Sequence, residues 1–105
     1  MVDELLSRIR ETIRTVPDFP IEGIQFRDIT PVLGEPGLVS SITDRFAQDL
    51  NKLGWSPDAV VGPEARGFIF GPLLADRLGC GFVPVRKPGK LPAPTRGVEY
   101  SLEYG

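Results

Sequence analysis

Two short charged segments hold the residues of this chain best suited to chemistry. The first is Val60-Val61-Gly62-Pro63-Glu64-Ala65-Arg66-Gly67-Phe68-Ile69-Phe70-Gly71. An apolar β-branched run stops at a glycine, a charged loop follows, and a second glycine opens an apolar helical pattern. That order predicts a strand, a loop and a helix, with Arg66 placed where the strand's carboxyl end opens. Ligands of open α/β sheets sit at that edge. N–H groups at a helix start attract anions, and a planar guanidinium can grip phosphate oxygens in pairs. Spacing alone fits an ordinary βα turn with a solvated arginine equally well, because a lone glycine-flanked loop is a weak signal. The second segment is Arg86-Lys87-Pro88-Gly89-Lys90-Leu91-Pro92, where three of the chain's 12 basic residues fall close together. In isolation it too reads as a solvated loop.

Other chemistries are excluded by what the chain lacks. It contains no histidine, so a Ser-His-Asp or Cys-His device cannot be built within it, and the commonest metal ligand is missing. The single Cys80 forms no internal disulfide; it fits a reducing interior, and its apolar neighbours predict a buried filler. A net charge of -2 argues against nucleic acid as a partner, which calls for clustered positive charge. No apolar run approaches the ~20 residues of a membrane span. The first residues are acidic and amphipathic, unlike a secretory signal. The expected location is the cytoplasm, with no membrane partner. At 105 residues, one domain is the most the chain can hold.

The elements that must position the charged segments follow from periodicity. Val2, Leu5, Leu6, Ile9, Ile13 and Val16 form a helical stripe that Pro17 ends. Gly23 to Ile29 alternates like a short strand, closed by Pro31 and Gly34. Leu38, Val39, Ile42, Phe46, Leu50 and Leu53 predict a second helix, with Gly54 just past its end. Asp58 to Gly62 predicts a short buried strand and Phe68 to Leu78 a buried helix, followed by Gly79. Phe82 to Val85 is a further strand, and Pro84 confines it to an edge or ends it early. Val60 to Val85 is then one βαβ unit with a right-handed crossover. The tail from Val98 to Gly105 alternates weakly, like a strand cut short.

Four segments, taken in order and at their separations, resemble the adenine phosphoribosyltransferase family over essentially the whole chain. They are Pro17-Asp18-Phe19-Pro20 with Gly23 and Phe26-Arg27-Asp28-Ile29-Thr30-Pro31; Glu64 to Gly71; Arg86 to Pro92; and Tyr100-Ser101-Leu102-Glu103-Tyr104-Gly105. The resemblance implies an α/β type I phosphoribosyltransferase fold, a parallel sheet flanked by helices with an N-terminal hood. Residues 1–35 would form the first helix and hood. Residues 36–105 would form the first part of the core and a flexible loop, all within one incomplete domain. The implied reaction is purine salvage: adenine and 5-phosphoribosyl 1-diphosphate give AMP and diphosphate, with Mg²⁺ carried on the diphosphate substrate.

The same resemblance assigns roles. Ala65 and Arg66 match the diphosphate loop, with Arg66 stabilising the leaving group, and a non-proline cis peptide is implied there. Lys90 and Arg86 resemble residues that reach the diphosphate, in part across a homodimer interface. Phe26 resembles the aromatic that stacks on adenine, and the backbones of Gln25 and Arg27 resemble the groups that read its edge. From the residues alone, Phe26 would serve equally as a core aromatic on a strand. Glu103 matches a loop carboxylate that assists proton movement at the purine, and Tyr104 a lid residue. On their own both read as ordinary strand residues.

One family motif has no match. Two adjacent aspartates followed by a small Gly/Thr-rich loop cradle the ribose 5-phosphate in the family, and no such pair occurs here. No metal ligand is therefore expected within these residues. The chain reads as the N-terminal portion of such an enzyme, truncated at its C-terminus and inactive alone. The alternative is a non-catalytic fragment that binds purine or diphosphate weakly, or pairs with a complete subunit.

Overall fold

In a computed structural model residues 3–98 are described. The order is α1 (Glu4–Thr12), β1 (Arg14–Pro17), β2 (Gln25–Asp28), α2 (Thr30–Gly34), α3 (Leu38–Lys52), β3 (Ala59–Pro63), α4 (Gly67–Leu78) and β4 (Gly81–Val85). The chain divides into two compact units, one ending at Ile42 and the other beginning at Thr43.

In the first unit, Asp3 caps α1 by accepting the Leu6 N–H at 3.2 Å. The helix stops at Thr12, short of the Val16 its apolar stripe predicted. Ile13 is already extended, and Arg14 to Pro17 pair antiparallel with β2. Thr12, Ile13, Thr15 and Val16 are β-branched, a type stiff in helices and well suited to a pleated ribbon. Tertiary pairing therefore overrides the helical spacing. The partner strand falls at Gln25–Asp28, inside the predicted alternation, with Val16 opposite Phe26 and Thr15 opposite Arg27. The short α2 was not expected; Pro31 sits in its first turn, where a missing N–H costs nothing. Arg8 donates to Glu35 from two nitrogens, at 2.8 and 2.5 Å, and the Thr12 hydroxyl adds a third bond. These bonds tie α1 to the end of α2. Val32 and Leu38 are the largest fully buried side chains among the described residues.

The second unit holds the βαβ element. β3 and β4 run parallel, with Val60 opposite Phe82 and Gly62 opposite Pro84. Helix α4 lies against both strands and covers the face carrying Val60, Gly62 and Phe82. On the opposite face, Val61, Val83 and Val85 remain about half exposed. The buried-helix expectation for α4 is corrected accordingly. Only Gly71 and Ala75 are buried in it, and Leu73 is exposed, because the helix rests on two strands. Gly79 ends α4 in the left-handed region (φ 74°), and the Cys80 N–H returns to the Ala75 carbonyl at 3.0 Å. Cys80 is half-buried rather than fully inside, at the seam between that cap and β4.

Pro84 sits inside β4 without breaking it. The Glu64 N–H donates to the Val85 carbonyl, so Val85 belongs to the backbone row facing β3. Pro84, one residue away, belongs to the row facing outward, where it forfeits no ladder bond.

Gly62 and Gly67 allow the turn between β3 and α4 to close. A Cβ on Gly62 would sit 2.7 Å from the Gly67 carbonyl oxygen and 2.8 Å from the Phe82 ring. A Cβ on Gly67 would meet the Gly62 backbone at 2.8 Å. Each glycine is needed because the other backbone approaches it.

Candidate functional site

The turn from Pro63 to Gly67 carries the first group of residues. Ala65 follows a non-proline cis bond from Glu64, as the resemblance implied. Arg66 is the exposed N-cap residue of α4, with helical φ and ψ. Its carbonyl accepts the Ile69 and Phe70 N–H groups, and the Ala65 carbonyl accepts that of Phe68. Arg66 therefore stands at the positive end of a 12-residue helix whose first turn holds no acidic residue.

The segment after β4 returns to the same turn. Lys87-Pro88-Gly89-Lys90 form a tight turn in which the Lys90 N–H donates to the Lys87 carbonyl at 3.3 Å and Gly89 has φ 80°. Proline second and glycine third is the sequence a type II turn requires. Arg86 lies 3.5 Å from Glu64 Oε2 and 5.6 Å above the Phe68 ring, and it donates to the Lys90 carbonyl at 3.4 Å. The Lys87 N–H donates to Glu64 Oε1 at 2.7 Å. That bond, and secondarily the Arg86 charge, holds the Glu64 carboxyl below the usual carboxylate range despite some opposing desolvation. The predicted Ala65, Arg66, Arg86 and Lys90 thus come from two loops joined through Glu64, a residue to which sequence reasoning gave no role. The one available signal was a carboxylate beside the cations of a loop suited to anions.

The second group lies in the first unit, on β2. The Phe26 ring meets Phe19 edge-on, with centroids 5.1 Å apart. Phe19 is held in a loop closed by its own N–H to the Ile24 carbonyl and by the Gly23 N–H to the Asp18 carboxylate at 2.9 Å. Gln25 and Arg27 flank Phe26, sharing one backbone parity, and the Arg27 guanidinium donates to the Thr15 hydroxyl. Asp28 accepts from the Thr30 hydroxyl at 2.6 Å, from the Thr30 N–H at 2.9 Å and from Arg14. These bonds, led by the Thr30 hydroxyl, lower its carboxyl to about 2. Phe19 and Asp28 are further supports that no role anticipated. Glu103 and Tyr104 lie outside the described residues.

Residues 34–101 match the family model described as the phosphoribosyl transferase domain. The chain belongs to the phosphoribosyl transferase family. Among curated phosphoribosyltransferases, the adenine phosphoribosyltransferase of Francisella tularensis subsp. novicida is 55% identical over 100 residues, which is 95% of this chain and 57% of that protein. Among solved structures, the adenine phosphoribosyltransferase of Thermoanaerobacter pseudethanolicus superposes with a TM-score of 0.85 at 53% identity. It is matched over 90% of this chain and 55% of its own. The Saccharomyces cerevisiae enzyme, complexed with adenine and an imino-altritol bisphosphate, gives a TM-score of 0.82 at 42% identity, over 89% of this chain and 56% of its own. The chain thus spans a little over half the length of these phosphoribosyltransferases. Their mixed α/β architecture is the one expected above.

Among the described residues no three His, Cys, Asp or Glu side chains are grouped to hold a metal ion.

Proposed function

We propose that the protein transfers the 5-phosphoribosyl group from 5-phosphoribosyl 1-diphosphate to adenine, giving AMP and diphosphate. The observation that carries this reading is Arg66 at the start of α4, beside a loop that brings Arg86 and the Lys90 turn to the same strand exit. The sugar–nitrogen bond forms as the bond from the anomeric carbon to diphosphate breaks. Negative charge grows on the departing diphosphate, and pre-placed cations and helix N–H groups are suited to stabilise it. Arg66 grips those oxygens, with Ala65 shaping the loop, and Arg86 and Lys90 add charge. Mg²⁺ would enter as part of the substrate, carried on its diphosphate.

Adenine lies on the Phe26 ring. The backbones of Gln25 and Arg27, sharing one parity, present their polar groups in the same direction along β2. Glu103 and Tyr104 take the proton-handling and lid roles by resemblance to the family. The yeast relative's adenine complex supports adenine as the base. We further propose that the protein works as a homodimer in the cytoplasm. No described helix is long and apolar enough to cross a membrane.

The decisive experiment is Arg66→Ala in the full-length protein, with AMP formation followed at varied 5-phosphoribosyl 1-diphosphate. Loss of a charge-assisted bidentate contact of about 1.5–3 kcal/mol lowers kcat/KM for that substrate by roughly 10- to 150-fold. Adenine affinity stays unchanged. A variant with wild-type kcat/KM refutes the assignment.

Residues 1–105 on their own support a second reading. They contain no adjacent aspartates to cradle a ribose phosphate, so this segment alone would bind adenine or diphosphate weakly, or pair with a complete subunit, without turnover. Size-exclusion mixing with a full-length subunit tests the pairing, and the absence of a mixed dimer removes it.

A further inference from the structure

The Glu64 carboxylate stands two residues from Arg66, at a rim suited to a polyanion. A negative charge there repels such a ligand, so its place calls for another task. Its bonds supply one. The Glu64 N–H donates to the Val85 carbonyl at 3.1 Å, Oε1 accepts the Lys87 N–H at 2.7 Å, and Oε2 lies 3.5 Å from Arg86. The Arg86 guanidinium is further confined above the Phe68 ring and bonded to the Lys90 carbonyl. One residue therefore touches the end of β4, the cation after it and the turn beyond. Without it, Arg86 and Lys90 would sit on an exposed segment held by the Lys87–Lys90 turn bond and the Phe68 ring.

We propose that Glu64 is a positioning residue, whose carboxylate holds Arg86 and the Lys87–Lys90 turn at the strand exit beside Arg66, ready to receive diphosphate. The inference rests on the phosphoribosyl transfer proposed above. Preorganisation of this kind strengthens binding by removing the ordering a loose loop would undergo on contact. It also offsets the repulsion Glu64 itself brings, because the carboxylate is engaged by a backbone N–H and a guanidinium.

The test uses Glu64→Ala and Glu64→Gln in the full-length protein. Three quantities are read: the Kd of inorganic diphosphate with Mg²⁺ by calorimetry, the separate KM values of the two substrates, and amide hydrogen exchange at Lys87 and Lys90. Glu64→Ala is expected to weaken diphosphate about tenfold, the scale of a charge-assisted bond. It leaves the adenine KM unchanged and speeds exchange at Lys87. Glu64→Gln keeps an oxygen for the Lys87 N–H, so exchange there stays slow and diphosphate weakens only about threefold, the loss of a partly exposed charge. Diphosphate bound by Glu64→Ala as tightly as by wild type, or more tightly, overturns the proposal. An equal loss for adenine and diphosphate does the same, because that marks general damage. If Glu64→Ala does not fold, a Glu64→Gln variant with wild-type Kd for diphosphate is sufficient refutation. A wild-type protein that binds no diphosphate defeats the transferase reading itself and with it the purpose assigned to Glu64. Exchange at Lys87 then still shows whether the carboxylate tethers the turn.

Discussion

Substituting Gly62 by alanine probes the joint on which the anion-binding turn depends. The added methyl would lie 2.7 Å from the Gly67 carbonyl oxygen, whereas ordinary contact begins at 3.4 Å, so the joint must open by about 0.7 Å. The obstacle on that side is backbone, which has no rotamer to change, and the Phe82 ring stands 2.8 Å away on another. Overpacking a close joint costs about 1–3 kcal/mol, and a backbone obstacle places Gly62→Ala in the upper half of that range. Gly81→Ala is the control. It lies in the same sheet, with nothing within 4 Å of the point its methyl would occupy, and should stay within about 0.5 kcal/mol of wild type. Urea titrations followed by circular dichroism measure both. Gly67→Ala should cost about as much as Gly62→Ala. The double variant should cost less than the two together, because one opening relieves both clashes. A Gly62→Ala protein as stable as Gly81→Ala, or single costs that simply add, refutes the close-approach argument.

Three other outcomes are expected. Phe26→Ala should raise the adenine KM by roughly 5- to 150-fold, the worth of about 1–3 kcal/mol of base stacking, with little change for 5-phosphoribosyl 1-diphosphate; steady-state kinetics with each substrate varied decides it. Asp28 has a folded pKa of about 2, below its ordinary 3.8, so its stabilisation is present above roughly pH 4 and is lost as the pH falls from there toward 2. Asp28→Asn should lower the urea midpoint at neutral pH and flatten its decline between those two pH values. Asp3→Ala removes the α1 cap and should cost about 1 kcal/mol, read from a thermal melt.

The parts of the fold readable from residues alone are those where local chemistry and tertiary pairing agree. Leu38 to Leu53 kept its helical stripe in α3, ending at Lys52, and the βαβ order around Arg66 followed from β-branched runs bounded by glycines. The stripe from Val2 to Val16 misled because its second half meets β2; the β-branched Ile13, Thr15 and Val16 favour extended backbone, but nothing local in them announces partners 8 to 14 residues away. The short α2 was hidden by Pro31, which marks a helix start as well as a strand end. For the candidate site, Arg66 and the basic turn were visible as residue types, but their union was not. That depends on one carboxylate reaching across 23 positions to Lys87, a relation periodicity does not encode. The edge-on contact of Phe19 with Phe26 has the same character.

The placement of the two prolines in the βαβ element bears on how residues 1–105, taken alone, would self-associate. With Val85 facing β3, both Pro84 and Pro63 fall in the outward rows, one on each side of the pair. Each rim therefore lacks one amide hydrogen where an incoming strand from another molecule would seek it. The half-exposed Val61, Val83 and Val85 make this ribbon adhesive, yet a copy approaching either flank finds a broken template. Sticky but poorly ordered clumping, rather than regular fibril growth, is the mode of failure that such a ribbon favours.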